Sequence, residues 1–397
     1  MMAIRFSACR ALLGTVALAL LAGCTDAYLP DVITAPPGYL VVDGFLNAQG
    51  VTTIKLSRTY AVASKAAAPV ETRANVYIED EAGTRLLLSE STTVKGTYTS
   101  AALTLNTGRR YRLHLNTLAG KEYASDFVPV KITPPIDAVN WRTDNNGVNI
   151  LVNTHDAANT TQYYRWDYVE TWEIIPIYQP SVEYVNNRMR SIVVPFPATC
   201  WGNSLSTTVQ IYKTTALTQD VVADFQLKQL PISSERLFSL YSILVQQHAL
   251  TKEEYAYWEL LRKNTESIGS LFDPQPAQLT GNIHCISNAN EVALGFVGAH
   301  SMQEKRIFIH RADLPRNWRV LTGYESCLPP DTVFVDRPTP PPPNPAVVLQ
   351  SYFGGGSFLP IDELYSQRGI LIGYTAKSRD CIDCRTRGTS TKPSFWP

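Results

Sequence analysis

Net charge is missing from this 397-residue sequence, in which 35 Lys and Arg balance 35 Asp and Glu. Without a basic excess there is no electrostatic footprint for nucleic acid. HExxH, GxSxG and Gly-rich phosphate loops are also missing, which removes the commonest metallopeptidase, hydrolase and nucleotide signatures. Six histidines are scattered at 114, 155, 248, 284, 300 and 310, with no i, i+4 pair to hold a metal. Cys381 and Cys384 make one CxxC, but no second CxxC and no His-x3-His accompanies it, so a zinc site lacks its other ligands. The βαβ context of a redox CxxC is lacking too. His284 and Cys285 are adjacent, and neighbours on a strand point to opposite faces, so they do not form a dyad. No cofactor, metal or catalytic residue is expected. Asp43, Asp167, Glu170 and Asp273 remain as carboxylates for a glycosidase-like pair, the least favoured reading.

What is present begins at the N-terminus. Arg5 and Arg10 precede an uncharged apolar run from Ala11 to Leu20, closed by Leu21-Ala22-Gly23-Cys24. The run is too short to span a bilayer, as expected of a removable export signal over 1–23. The Leu-Ala-Gly-Cys box resembles the processing site of bacterial lipoproteins. That resemblance implies cleavage after Gly23 and a lipid on Cys24, which would hold the protein to a membrane. Residues 24–38, with three prolines and no apolar periodicity, read as a lipidated tether.

Apolar residues make up 45% of the sequence, enough for real cores, and 20 tyrosines, seven tryptophans and 26 prolines favour β-structure punctuated by turns. The pattern predicts strands over 39–45, 51–58, 73–79, 84–90, 97–105, 110–115 and 122–132, an immunoglobulin-like sandwich at 39–133. Tyr111, after Gly108, is placed as a tyrosine corner. In its strand, Tyr111, Leu113 and Leu115 alternate with Arg112, His114 and Asn116, one apolar face and one wet. Thr133-Pro134-Pro135 reads as a joint. A second β-rich, fibronectin III-like domain is expected over 136–320. Within it Tyr164, Trp166 and Tyr168 share one face at period two, either a core face or a stacking platform. Thr251 and Glu254 have capping-box spacing, and Tyr255, Trp258 and Leu261 follow on one face, predicting an inserted helix over 251–267. Residues 321–397 read as an irregular Pro/Gly-rich region packed on the second domain.

Cys9 leaves with the signal and Cys24 is acylated, so five cysteines remain and at least one has no partner within the chain. Several segments together resemble the DUF4249 lipoproteins of Bacteroidota. These are Leu40-Val41-Val42-Asp43-Gly44, Leu56-Ser57-Arg58-Thr59, Tyr255-Ala256-Tyr257-Trp258, the segments from Gly269 to Pro276 and from Leu279 to Ile283, and the tail around Cys381-Ile382-Asp383-Cys384-Arg385 and Lys392 to Trp396. The resemblance implies an uncharacterised envelope lipoprotein, often accompanied by TonB-dependent outer-membrane receptors, with no catalytic residues to carry over. It also implies that Cys200, Cys327, Cys381 and Cys384 belong to the family pattern and that Cys285 is the odd thiol. Two disulfides are expected, with Cys200 and Cys327 each taking one of the tail pair, the choice left open. The expected function is a non-catalytic binding or accessory component beside such a receptor, anchored in the outer membrane. A structural or adhesion role is the alternative. Surface-exposed lipoproteins of that phylum tend to carry an acidic run after the lipidated cysteine. Only Asp26 and Asp31 are acidic here, so the side of the membrane is left open.

Overall fold

The computed structural model describes residues 38–60, 67–266, 279, 281–336 and 344–397. The signal, Cys24, the tether up to residue 37, Asp273 and the Gly269–Pro276 segment lie outside the described residues. The first unit contains β1 (Leu40–Asn47), β2 (Gln49–Arg58), β3 (Asn75–Asp80), β4 (Arg85–Glu90), β5 (Thr97–Thr104), β6 (Arg110–Asn116), β7 (Glu122–Ser125) and β8 (Val128–Lys131). Alternation sets their faces: in β2, Thr52, Ile54 and Leu56 are buried while Val51, Thr53 and Lys55 are exposed. The Asn106 amide donates to the Tyr111 hydroxyl at 3.1 Å, the reach-back expected of a tyrosine corner. The face of β6 expected to be wet is partly covered. His114 is buried between Glu79 (3.0 Å) and Glu122 (2.6 Å), and Arg112 pairs with Glu79 at 2.6 Å.

The second unit follows with β9 (Ile136–Thr143), β10 (Gly147–Asp156), β11 (Tyr163–Ile174), β12 (Val182–Val185), β13 (Arg188–Ser191), β14 (Cys200–Leu205), β15 (Gln210–Lys213), β16 (Asp220–Pro231) and β17 (Leu240–Ala249). Helix α1 (Lys252–Glu266) comes next, then β18 (Ile283–Cys285), β19 (Ala293–Leu294), β20 (Ala299–His300) and β21 (Met302–His310). One sheet has the order β16-β10-β9. The other has the order β14-β11-β17-β21, with β15 also paired to β11. Val148, Ile150 and Val152 from the first sheet meet Trp166, Tyr168, Ile243 and Val245 from the second in one core. Tyr164, Trp166 and Tyr168 are therefore a core face, not a platform.

The first unit is not two separate sheets. Pairing runs β6-β3-β4-β5-β2-β1, continues through β20 to β8, and returns from β8 to β6, closing an eight-stranded barrel. β20 pairs parallel with both β1 and β8, so it covers two edges that would otherwise be open. β18 and β19 likewise pair with β7 and β1. Residues 283–300, which sequence reasoning places in the second domain, thus complete the first unit before β21 returns to the second. The joint between the units is pinned. The Thr133 amide donates to the Ser301 hydroxyl at 2.9 Å, and the Ala249 amide donates to the Thr133 hydroxyl at 3.0 Å.

The region after 321 is more regular than expected. β22 (Asp331–Phe334), β23 (Phe358–Tyr365) and β24 (Leu371–Ser378) form a sheet of order β22-β24-β23, and helix α2 (Pro345–Phe353) packs beside it. Asn344 caps α2 by accepting from the Ala346 amide at 2.9 Å, with Pro345 in the first turn. A short helix, α3 (Arg379–Ile382), carries Cys381.

Candidate functional site

The site forms where the outer face of the larger sheet of the second unit meets the first unit. Arg165 on β11 lies opposite His248 on β17, and both point away from the core that Trp166 and Val245 fill. α1 begins beside them because the Thr251 hydroxyl accepts from the Glu254 amide at 3.1 Å. The carboxylate of Glu254 does not complete a capping box. It turns into the seam, 3.5 Å from His300 Nε2 on β20. Gly298 makes room for it, since a Cβ there would overlap the carboxylate. Tyr255 packs its ring 5.2 Å from Tyr163, and Trp258 lies beneath the Arg165 guanidinium at 4.1 Å. Trp258 is half-buried, with one side toward a cavity.

That cavity, of about 410 Å³, is enclosed by β1, α1, Arg165 and the segment around β19. Val41, Phe45, Tyr257, Trp258, Leu261, Leu294 and Phe296 supply apolar and aromatic wall, Arg165 and Glu254 also line it, and Asp43 adds an exposed carboxylate. Gly295 holds φ at +126°, and a side chain there would collide with the Val42 carbonyl, so glycine lets this segment lie against β1. Asn282 fixes the same segment through both its amide groups, bonded to the Val297 backbone at 2.9 and 3.1 Å.

Behind the cavity lies a cluster of charged and polar groups, in which His248, Glu254 and His300 are buried and Asp167 is partly exposed. Phe45 stacks on His300 at 4.3 Å, and His248 meets both rings edge-on at 5.1 Å. Ten buried side-chain polar atoms among the described residues have no hydrogen-bond partner, and six belong here: Arg165 Nε, both His248 nitrogens, Glu254 Oε2, Trp258 Nε1 and His300 Nε2. Two of the six still face a carboxylate, His248 Nε2 at 3.3 Å from Asp167 and His300 Nε2 at 3.5 Å from Glu254, beyond good hydrogen-bond geometry. Burial opposes ionisation of Asp167, but Arg165 at 2.8 Å and His248 at 3.3 Å outweigh it and hold the carboxyl below its usual range. Burial likewise opposes the charge of Glu254, and His300 and then Arg165 outweigh it, so it too is lowered.

Burial and the nearby Arg165 push His248 down from 6.5 to about 4, which leaves it neutral at pH 7. The unfolded chain binds this proton near pH 6.5 and the folded chain only near 4. Stability from this group is therefore full above pH 6.5 and is lost as pH falls toward 4. The loss is on the order of 3 kcal/mol. The depressed Asp167 and Glu254 act with the same sign at lower pH. Urea unfolding of wild type and His248→Gln at pH 7.0, 5.5 and 4.5 is expected to show a steeper loss in wild type. Parallel pH profiles would mean His248 takes up its proton without penalty.

The remaining predicted residues are dispersed. Glu170 is buried inside the second unit, where Tyr241 donates to it at 2.9 Å and Arg236 pairs with it. Asp167 lies on the opposite face of the same strand, so these two carboxylates do not share a cleft. Cys200 is bonded to Cys384 and Cys327 to Cys381, while Cys285 is a buried free thiol. His284 is exposed beside Asp126 at 3.1 Å, on the other face of β18 from Cys285. No group of three or more metal-ligating side chains is found among the described residues. Phe45, Arg165, His248 and His300 carried no sequence signal, because they come together only through strand register and barrel closure.

No described helix is long and apolar enough to cross a membrane. No curated protein matches the chain. The profile of one family, described as a domain of unknown function (DUF4249), matches residues 25–306. The match runs through the barrel, α1 and the cavity wall and ends within β21, before the C-terminal region that holds Cys327, Cys381 and Cys384. The chain belongs to the DUF4249 family.

Proposed function

We propose that this protein is a non-catalytic ligand-binding lipoprotein of the outer membrane, held by a lipid on Cys24 and acting beside a TonB-dependent receptor. The observation that carries the binding role is one aromatic-walled cavity of ligand size, lined also by Arg165 and Glu254. The lipobox supports the anchor, and the resemblance of the chain to DUF4249 lipoproteins supports the receptor. The second unit is read as a fibronectin III-like sandwich whose last two strands are separated by an insertion comprising α1 and β18 to β20. The Tyr111 corner supports an immunoglobulin-like ancestry for the barrel.

The cavity is tested on the mature chain exported without lipid, using the neutral dye N-phenyl-1-naphthylamine. Its fluorescence is expected to rise on binding wild type and to fall several-fold with Leu261→Trp, which fills the space. No binding to wild type, or equal binding to both, would remove the cavity reading. For the anchor, Cys24→Ser is expected to abolish acylation and leave the protein unprocessed or soluble. A mutant that still fractionates with membranes at the wild-type mature mass would overturn it.

A further inference from the structure

Resting on the reading of the cavity as a ligand site, we propose that its ligand is a small apolar or aromatic compound with a carbonyl-type oxygen, which accepts from the Arg165 guanidinium while the body lies along the aromatic wall. Arg165 lines the cavity, and its side chain is 11% exposed. Nη2 donates to Asp167 at 2.8 Å. Nε is sealed from solvent and has no partner. Nη1 makes no hydrogen bond to a described residue and is not among the sealed atoms, so it is the nitrogen open to whatever fills the cavity. A guanidinium carries five N–H donors, and the bond to Asp167 leaves most of them without an acceptor.

The donor is held in place before any ligand arrives. Asp167 fixes one edge of the guanidinium, and the Trp258 ring, 4.1 Å away, fixes its plane. Trp258 also lines the cavity. Tyr257 contacts both Trp258 (5.7 Å) and Phe296 (5.5 Å), so one aromatic wall leads away from the guanidinium. Glu254 offers the cavity no matching group, because its open oxygen is sealed against Gly298. Asp167 at 2.8 Å balances the charge of Arg165, and Glu254, held ionised by His300 and then Arg165, adds to that balance. The unmet demand is therefore for lone pairs rather than for charge. The trigonal oxygen of a neutral carbonyl or of a carboxylate supplies them, whereas an ammonium or a hydrocarbon supplies none. The volume lies at the lower end of the range for small-molecule sites, which suits one ring and a short chain.

The test is competition for the bound dye by 4-phenylbutan-2-one and butylbenzene, which share a ring and a four-carbon chain and differ by the oxygen. Each is titrated against wild type and Arg165→Met, with the dye affinity of each protein measured first. The ketone is expected to weaken about 10-fold in Arg165→Met and butylbenzene to change by less than about twofold, the difference that one bond to a charged donor supplies. Equal effects on the two compounds, or none on the ketone, would overturn the ligand class and leave the cavity reading intact. A second measurement needs wild type alone and decides the matter if the substitution prevents folding or dye binding. In infrared difference spectra the carbonyl stretch of the bound ketone is expected at or below its frequency in water. A frequency matching that in hexane would show that no donor reaches the oxygen and would overturn the proposal. The source of the oxygen is then separated with 4-phenylbutyrate: tighter binding than the ketone assigns a carboxylate, and weaker binding a neutral carbonyl. Failure of the dye to bind wild type at all would remove the cavity and this proposal with it.

Discussion

Trp166→Ala is expected to destabilise the second unit by about 3–5 kcal/mol through loss of the buried ring alone. Trp166 is fully buried on β11, stacked between Tyr164 at 5.7 Å and Phe225 at 4.7 Å. Its indole N–H donates to Gln247 Oε1 at 2.8 Å. Gln247 is itself fully buried, and its amide nitrogen donates to the Pro134 carbonyl at 2.8 Å and the Thr154 hydroxyl at 3.0 Å. The ring therefore orients a side chain that ties β17 to β10 and to the joint between the units. Alanine leaves Gln247 Oε1 without a donor inside the core, a further cost of roughly 1 kcal/mol or more. Trp166→Phe keeps most of the ring and loses the donor, so it should cost clearly less than alanine. Urea unfolding followed by far-UV circular dichroism separates the two. A loss below about 2 kcal/mol for Trp166→Ala would mean the ring is not packed as described.

The same residue shows how much of the fold could be read beforehand. Period-two burial in β2, in β6 and across Tyr164, Trp166 and Tyr168 is local, and it survives folding because each strand has one face on a core. Thr251 marked the start of α1 for the same local reason. Barrel closure had no such signal. It rests on Ala299 and His300, two residues with no periodicity, brought to β1 and β8 from far along the chain. The sheet after residue 321 was hidden differently, since Pro360 lies inside β23 and the pairing of β23 with β24 slips twice, which blurs alternation. Asn344-Pro345 is a proper helix start, but the surrounding prolines masked it. At the site, capping-box spacing made Glu254 visible as a capping residue. Its turn toward His300 depends on where β20 lies, which no local pattern encodes.

The disulfides should produce the other large effect, confined to one region. Cys200–Cys384 joins residues 184 apart, and Cys327–Cys381 residues 54 apart. In the chain-entropy account, bonds closing loops of those lengths contribute about 5 and about 4 kcal/mol respectively, as upper values. The region they hold is otherwise tied to the second unit by small cores, one of them Val182 with Val335 and Tyr374, and by a few hydrogen bonds such as Tyr178 to the Cys327 carbonyl at 2.9 Å. Its small cores contain Val333, Phe353 and Ala376 at the sheet, and Ile174 and Tyr324 around the four sulfurs. Beyond Cys384 the tail returns to the second unit, where Trp396 donates to Glu173 at 3.0 Å and Arg306 lies 3.5 Å over the Phe395 ring. The barrel and the core around Trp166 contain no disulfide. Reduction, or Cys→Ser at all four positions, is therefore expected to split unfolding into two transitions. The sheet of β22 to β24 should become open to protease first, while both β units stay resistant. Replacing Cys327 and Cys381 should loosen β22 from β24. Replacing Cys200 and Cys384 should release the terminal segment with Trp396. Non-reducing peptide mapping checks the connectivity directly. A Cys381–Cys384 bond, or any bond to Cys285, would contradict it. A reduced protein that unfolds in one transition at the oxidised midpoint would show that the tail is held by packing alone.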